Sequence, residues 1–154
     1  MNHAVISCLH ANLAAVEAVL DDIDSQGIQT ITCLGDLVGY GPQPNEVVEL
    51  VRQREIPTCQ GCWDEDIIDG LNACECSYPS QLAECGYCGE RKAEALRAQQ
   101  GEAAVGELLA AVDADHLNWL ASLQFGFIEL DCALIHGSSA DVGDWLTEDT
   151  SALV

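Results

Sequence analysis

Apolar positions along the chain follow two periods in turn. "AVISCL" (4–9) is an almost unbroken apolar run with β-branched residues, the pattern of a strand buried on both faces. "ANLAAVEAVLDDIDSQG" (11–27) switches to helical spacing, with Leu13, Val16, Leu20 and Ile23 on one face and Glu17, Asp21 and Asp22 toward water. Asn12 is placed to cap that helix and Gly27 to stop it. "QTITCLGDL" (29–37) predicts a second strand, "PNEVVELVRQR" (44–54) a second helix and "IPTCQ" (56–60) a third strand. The β-α-β-α-β order with apolar strands predicts an α/β layer built on a parallel sheet. In "PTCQGCWDEDI" (57–67) the strand-like run ends in Gly61 and gives way to Cys62, Trp63 and Asp64, and the segment reads as a site loop.

The pattern breaks over 65–90, where Cys74, Cys76, Cys85 and Cys88 lie among small and polar residues. "GERKAEALRAQQGEAAVGELLAAV" (89–112) then predicts a helix running through Gly101 and Gly106, and "DADHLNWLASL" (113–123) a short helix capped by Asp113. "QFGFIEL" and "CALIHG" predict a hairpin turning near Glu129 to Asp131. No repeat or linker interrupts the chain. Residues 1–154 therefore read as one domain, with 65–90 a cysteine-rich insertion within it.

Composition adds charge and sulfur. Against 5 Lys+Arg stand 26 Asp+Glu, a formal net charge of −21. Such a surface repels phosphate backbones, so nucleic acid is not an expected partner, whereas a basic protein face is. The plainer alternative is that acidity only maintains solubility. No secretory signal pattern and no apolar run of roughly 20 residues is present, which leads to a cytoplasmic expectation with no membrane partner. In a reducing compartment, nine cysteines, an odd number, point away from a disulfide framework and toward metal or redox chemistry.

"AVISCLHANLAAVEAVLDDI", "CLGDLVGYGPQPNEVVELV", "IPTCQGCWD" and "ALIHGSS" together resemble the calcineurin-like metallophosphoesterases, in particular the small bacterial phosphodiesterase type. The resemblance covers most of 1–64 and 113–140. It implies an αββα sandwich and a two-metal site that activates water and clamps a phosphate ester. In that family the ligands come from Asp-x-His, Gly-Asp, Gly-Asn-His-Asp, His-Gly and a later Gly-His-x-His. Here His10, Asp36 and His136 stand at matching positions. Cys8 takes the first Asp position, Cys62 the Asn position and Trp63 the position of the proton-donating His. Ala11 stands where the family usually has Gly, and no Gly-His-x-His follows within the sequence. An indole N–H cannot serve as a general acid near neutral pH. Thiolates in place of oxygen ligands make the site softer than magnesium or manganese prefers. No catalytic residue is therefore assigned.

The cysteines divide into two sets. Cys33, Cys59 and Cys132 lie inside strand runs and read as core filler. Cys8 and Cys62 fall at the family's metal positions, and Cys74, Cys76, Cys85 and Cys88 form a Cys-x-Cys and a Cys-x-x-Cys nine residues apart. Three readings stand for these six. The preferred one is an iron–sulfur cluster or clusters, four-iron or larger, with His10, Asp36 and His136 as extra ligands or hydrogen-bond partners of the ligands. The second is a structural zinc on the four insertion cysteines. The third is a metal-free dithiol or persulfide role.

The expected architecture is a metallophosphoesterase-like α/β sandwich with about half of the family fold per chain, completed in a homodimer. The competing arrangement is a monomer whose 89–123 helices cover the second sheet face. The expected function is non-hydrolytic: electron transfer, or cluster storage and delivery to a basic redox or assembly protein. A residual phosphoesterase using His10, Asp36 and His136, and a zinc-stabilised interaction module, are the alternatives. His116 is expected at the surface or in a cap. Asp64 is expected to hydrogen-bond its loop, and Trp63 either to shield a cluster or to pack in the core.

Overall fold

A computed structural model describes residues 2–71, 89–129 and 131–144. The elements are β1 (His3–Ile6), α1 (Leu13–Ser25), β2 (Thr30–Cys33), α2 (Pro44–Gln53), α3 (Cys62–Ile68), α4 (Gly89–Gln100), α5 (Ala104–Ala110), α6 (Ala114–Ala121), β3 (Gly126–Glu129) and β4 (Cys132–Ile135).

Local chemistry sets the first half as the pattern predicted. The Asn12 side chain accepts the Ala15 N–H at 3.2 Å and so caps α1, whose buried face is Val16, Leu20 and Ile23. Gly27, at φ +70°, ends it. Pro44 opens α2, where its missing N–H costs nothing, and Val47, Val48 and Val51 are fully buried. Each such valine contributes roughly 1.5–2 kcal/mol of burial. β1 and β2 pair in parallel with Ala4 opposite Ile31 and Ile6 opposite Cys33, as expected.

The expected third strand, 56–60, is reduced to two isolated bridges, Cys33 to Thr58 and Cys59 to Gln124. Pro57 is the cause. Its carbonyl accepts from the Cys33 N–H at 2.8 Å, but it has no N–H to carry the ladder further back, and Glu55 just before it turns at φ +51°. The single helix expected over 89–112 is also corrected. It breaks at Gly101, whose φ of +98° ends α4 before α5 begins at Ala104.

Asp113 precedes α6 but makes no side-chain cap. Its own N–H bonds to Asn45 Oδ1 at 2.9 Å, and His116 Nδ1 meets the same oxygen at 2.9 Å. His116, expected at the surface or as a cap, is instead half-buried and ties α6 to α2.

Cys33 and Cys59 are fully buried, as core filler should be. Cys132 is not: it is exposed, at the turn end of the antiparallel β3–β4 hairpin, opposite Glu129 and beyond the reach of the core. Val5, Phe125 and Ile128 are exposed as well. The 89–123 helices therefore leave this part of the strands uncovered among the described residues. The core is built where α1, α2 and α3 meet the strands through Leu20, Leu37, Val48 and Ile67, joined by Val105 of α5 and Leu120 of α6.

Candidate metal centre

The loops that leave the C-terminal ends of the strands converge on one point. The loop after β1 carries Cys8 and His10, and the loop after β2 carries Asp36. Their backbones are zipped together: Cys8 N–H to Gly35 C=O at 3.0 Å, His10 N–H to Asp36 C=O at 2.9 Å and Ala11 N–H to Leu37 C=O at 2.8 Å. This contact bends the chain sharply. Cys8, His10, Ala11 and Asp36 all adopt left-handed backbone, at φ +58°, +46°, +54° and +57°. Such clusters of non-glycine residues belong to sites whose surroundings over-determine them.

"GCWD" is not a loop, as the sequence suggested, but the start of α3. Its entry depends on Gly61, where a Cβ would lie 2.1 Å from the Asp36 backbone nitrogen. The helix start is held by Asp64, which is fully buried and accepts from the backbone N–H groups of Asp36 (2.8 Å), Leu37 (2.9 Å), Val38 (3.3 Å) and Gly61 (3.0 Å). Burial and the neighbouring Asp36 charge push the Asp64 carboxyl up to about 7, against the pull of those N–H groups. Asp64 thus has the loop-binding role expected of it.

Asp36 is the hub. Its Oδ1 accepts the Trp63 N–H at 2.8 Å. Its Oδ2 lies 3.4 Å from His136 Nε2, 3.7 Å from His10 Nε2 and 3.8 Å from Cys62 Sγ. The ligand atoms fall into two groups that share Asp36, namely Cys8–His10–Asp36 and Asp36–Cys62–His136, each spanning less than 4.8 Å. In both histidines Nδ1 faces a backbone carbonyl: Val38 at 3.2 Å for His10, and Leu34 at 2.6 Å for His136. A donor bond there leaves Nε2 as the atom directed into the site, the arrangement of metal-ligating histidines. Burial opposes charge on His136, but the hydrogen bonds to Asp36 and Cys62 and the Asp36 charge outweigh it and push the imidazole up to about 11. Burial likewise opposes ionisation of Asp36, and the His136 hydrogen bond and charge overcome it, holding the carboxyl below its ordinary range.

Sequence reasoning missed Lys92. This residue of α4 is buried, with Nζ 3.3 Å from Cys62 Sγ, 2.5 Å from Asp66 Oδ2 and 4.6 Å from the centre of the Trp63 ring. A signal was available, because Lys92 is the only lysine in the 154 residues. Burial opposes the charge, yet Asp66 and Cys62 hold the ammonium above its ordinary range.

Trp63 packs against Tyr40, with ring centres 4.6 Å apart, and is buried. It also lines the cavity of about 510 Å³ over Cys8, His10, Asp36, Cys62 and His136, so it both packs and covers. The structure brings these five predicted ligands together. Cys74, Cys76, Cys85 and Cys88 lie outside the described residues.

The donor set suits a metal. Carboxylate and paired Nε2 atoms would take a divalent ion, and two thiols shift the preference toward softer ions.

The calcineurin-like phosphoesterase superfamily domain matches residues 1–149, and the chain belongs to that family. It is similar to a metallophosphoesterase from Sphaerobacter thermophilus at 33% identity and a TM-score of 0.62, over 94% of this chain and 51% of that one. A hypothetical protein from Pyrococcus horikoshii shares the fold, with a TM-score of 0.66 and 17% identity over 97% of this chain and 60% of that one. An uncharacterized protein of Methanocaldococcus jannaschii is 51% identical over 65 residues, 42% of this chain and 27% of its own. The chain thus spans about half the length of the first structural relative and about a quarter of the curated one. The fold is the α/β calcineurin-like one, and the family is metal-binding. No helix among the described residues is long and apolar enough to cross a membrane.

Proposed function

We propose that this chain holds a sulfur-ligated metal centre on a metallophosphoesterase scaffold, that the centre is an iron–sulfur cluster, and that it transfers electrons or delivers the cluster instead of hydrolysing phosphate esters. The observation that carries this reading is the pairing of Cys62 Sγ with Asp36 Oδ2 at 3.8 Å, beside a buried Trp63 at the proton donor's position. The atom facing the site there is sulfur, and the residue at the family's proton-donor position is an indole.

Cys8, Cys62 and the insertion cysteines Cys74, Cys76, Cys85 and Cys88 would bind the iron, which would supply one-electron chemistry. The stems of the insertion support this. The Lys92–Asp66 ion pair ties α4 to α3, so the described elements on either side of the insertion are held together beside Cys62. His10 and His136 would tune the centre from their carbonyl-fixed orientations. A net charge of −21 favours a basic redox or assembly partner.

The test is anaerobic purification. The expected product is brown, with acid-labile sulfide and broad visible absorption that disappears in Cys62→Ala. Colourless protein carrying stoichiometric zinc sinks the cluster reading.

That outcome would favour a second reading, which the two Nε2 atoms and the shared carboxylate support: a mixed Cys/His/Asp centre for a divalent ion such as zinc. Manganese-dependent cleavage of a phosphodiester, lost in His10→Ala, would instead revive hydrolysis.

A further inference from the structure

The two halves of the centre are not equivalent. Cys8 is exposed and the His10 side chain is 24% exposed, and the basic group beside that half is His10 itself. The Asp36–Cys62–His136 half is more enclosed, with Asp36 buried and Cys62 and His136 partly so, and a buried lysine stands against its thiol. Lys92 Nζ lies 3.3 Å from Cys62 Sγ and 2.5 Å from Asp66 Oδ2, over the Trp63 ring. An ammonium in contact with a thiol ligand takes the place of the positive charge a metal would bring, and it repels a second one. At contact distance in a buried site, that repulsion is large.

We propose that Lys92 is a positioning residue that orders metal loading. A divalent cation enters first at Cys8–His10–Asp36, and the Asp36–Cys62–His136 position fills only when Lys92 gives up Cys62. The inference rests on the site being a metal centre and holds for any divalent ion, whether or not a cluster is the resident group.

The test uses the full chain, reduced and metal-free, titrated with cobalt(II) alone. Binding is followed by equilibrium dialysis and by the thiolate-to-cobalt charge-transfer band. Lys92→Met should tighten the weakest thiolate-bound equivalent by about tenfold or more, since a buried positive charge is removed. Lys92→Arg should keep the wild-type isotherm. Superimposable isotherms for wild type and Lys92→Met overturn the proposal.

Lys92→Met leaves Asp66 buried and unpaired, so a second measurement uses the wild type. Lys92 is the only lysine, and an amine-reactive ester followed by peptide mass spectrometry reports on it alone. Its acylation should be slow in the metal-free protein and rise when the last thiolate-bound cobalt enters. Unchanged protection at full cobalt loading overturns the proposal. An isotherm that Cys62→Ala does not alter would sink the metal-centre reading at this thiol, and the inference with it.

Discussion

The Asp64 carboxylate accepts the Asp36 backbone N–H at 2.8 Å, so the residue that fixes the start of α3 also fixes the hub of the centre. The same side chain serves Leu37, Val38 and Gly61. Asp64→Ala leaves those buried donors without their acceptor. It should cost about 3 kcal/mol or more in urea unfolding and weaken metal binding at the same time. A change below about 1 kcal/mol would show that water replaces the carboxylate at little cost.

Gly61→Ala tests the closeness of two loops. The added Cβ would meet the Asp36 backbone nitrogen at 2.1 Å, and Asp36 Oδ1, which the Trp63 N–H holds in place, at 2.4 Å. A loss of about 2–3 kcal/mol is expected, together with displacement of Asp36. Unaltered stability with full metal affinity would contradict the packing.

Trp63→His restores the family's proton donor in name only. Cys8 and Cys62 remain, and the Tyr40 and Lys92 contacts to the indole are lost. The expected variant is about 2 kcal/mol less stable and releases no nitrophenol from a phosphodiester in manganese. Turnover in this single variant would mean that the sulfur ligands do not block hydrolysis.

Net charge gives a prediction independent of the site. With 26 acidic residues against 5 basic ones, the folded chain repels itself. Raising NaCl from about 0.02 M to about 0.3 M should raise Tm by roughly 3 °C, because screening relieves the compact state. A falling Tm would show that surface ion pairs such as Arg54–Asp24 dominate instead.

Sequence legibility followed periodicity. α1 and α2 were readable because Val16, Leu20, Val47 and Val51 repeat on one face and Asn12 and Pro44 mark the starts. β1 and β2 were readable as apolar runs. The third strand was not, because its residues have strand-like character while Pro57 removes the donor a ladder needs. The break at Gly101 was hidden because the apolar pattern continues past it, whereas the backbone turns at φ +98°. Cys132 was misplaced because a strand's side-chain period says nothing about which end of a hairpin lies beyond the core.

For the site, the motif positions placed Cys8, His10, Asp36, Cys62 and His136 together, and the structure does the same. Lys92 was invisible to motif and period alike. It reaches Cys62 from 30 positions away, on a helix whose pattern marks no inward lysine. A helical period reports average polarity, and a buried ion pair such as Lys92–Asp66 runs against that average.

The left-handed turn at Ala11 bears on how such chains are found. At φ +54°, an alanine costs about 1–2 kcal/mol that glycine would not. Its methyl is fully buried and returns roughly 0.8 kcal/mol. The net penalty is about 1 kcal/mol or less, small enough for the turn to keep an alanine. A search that demands glycine at this turn would discard chains whose backbone still makes it.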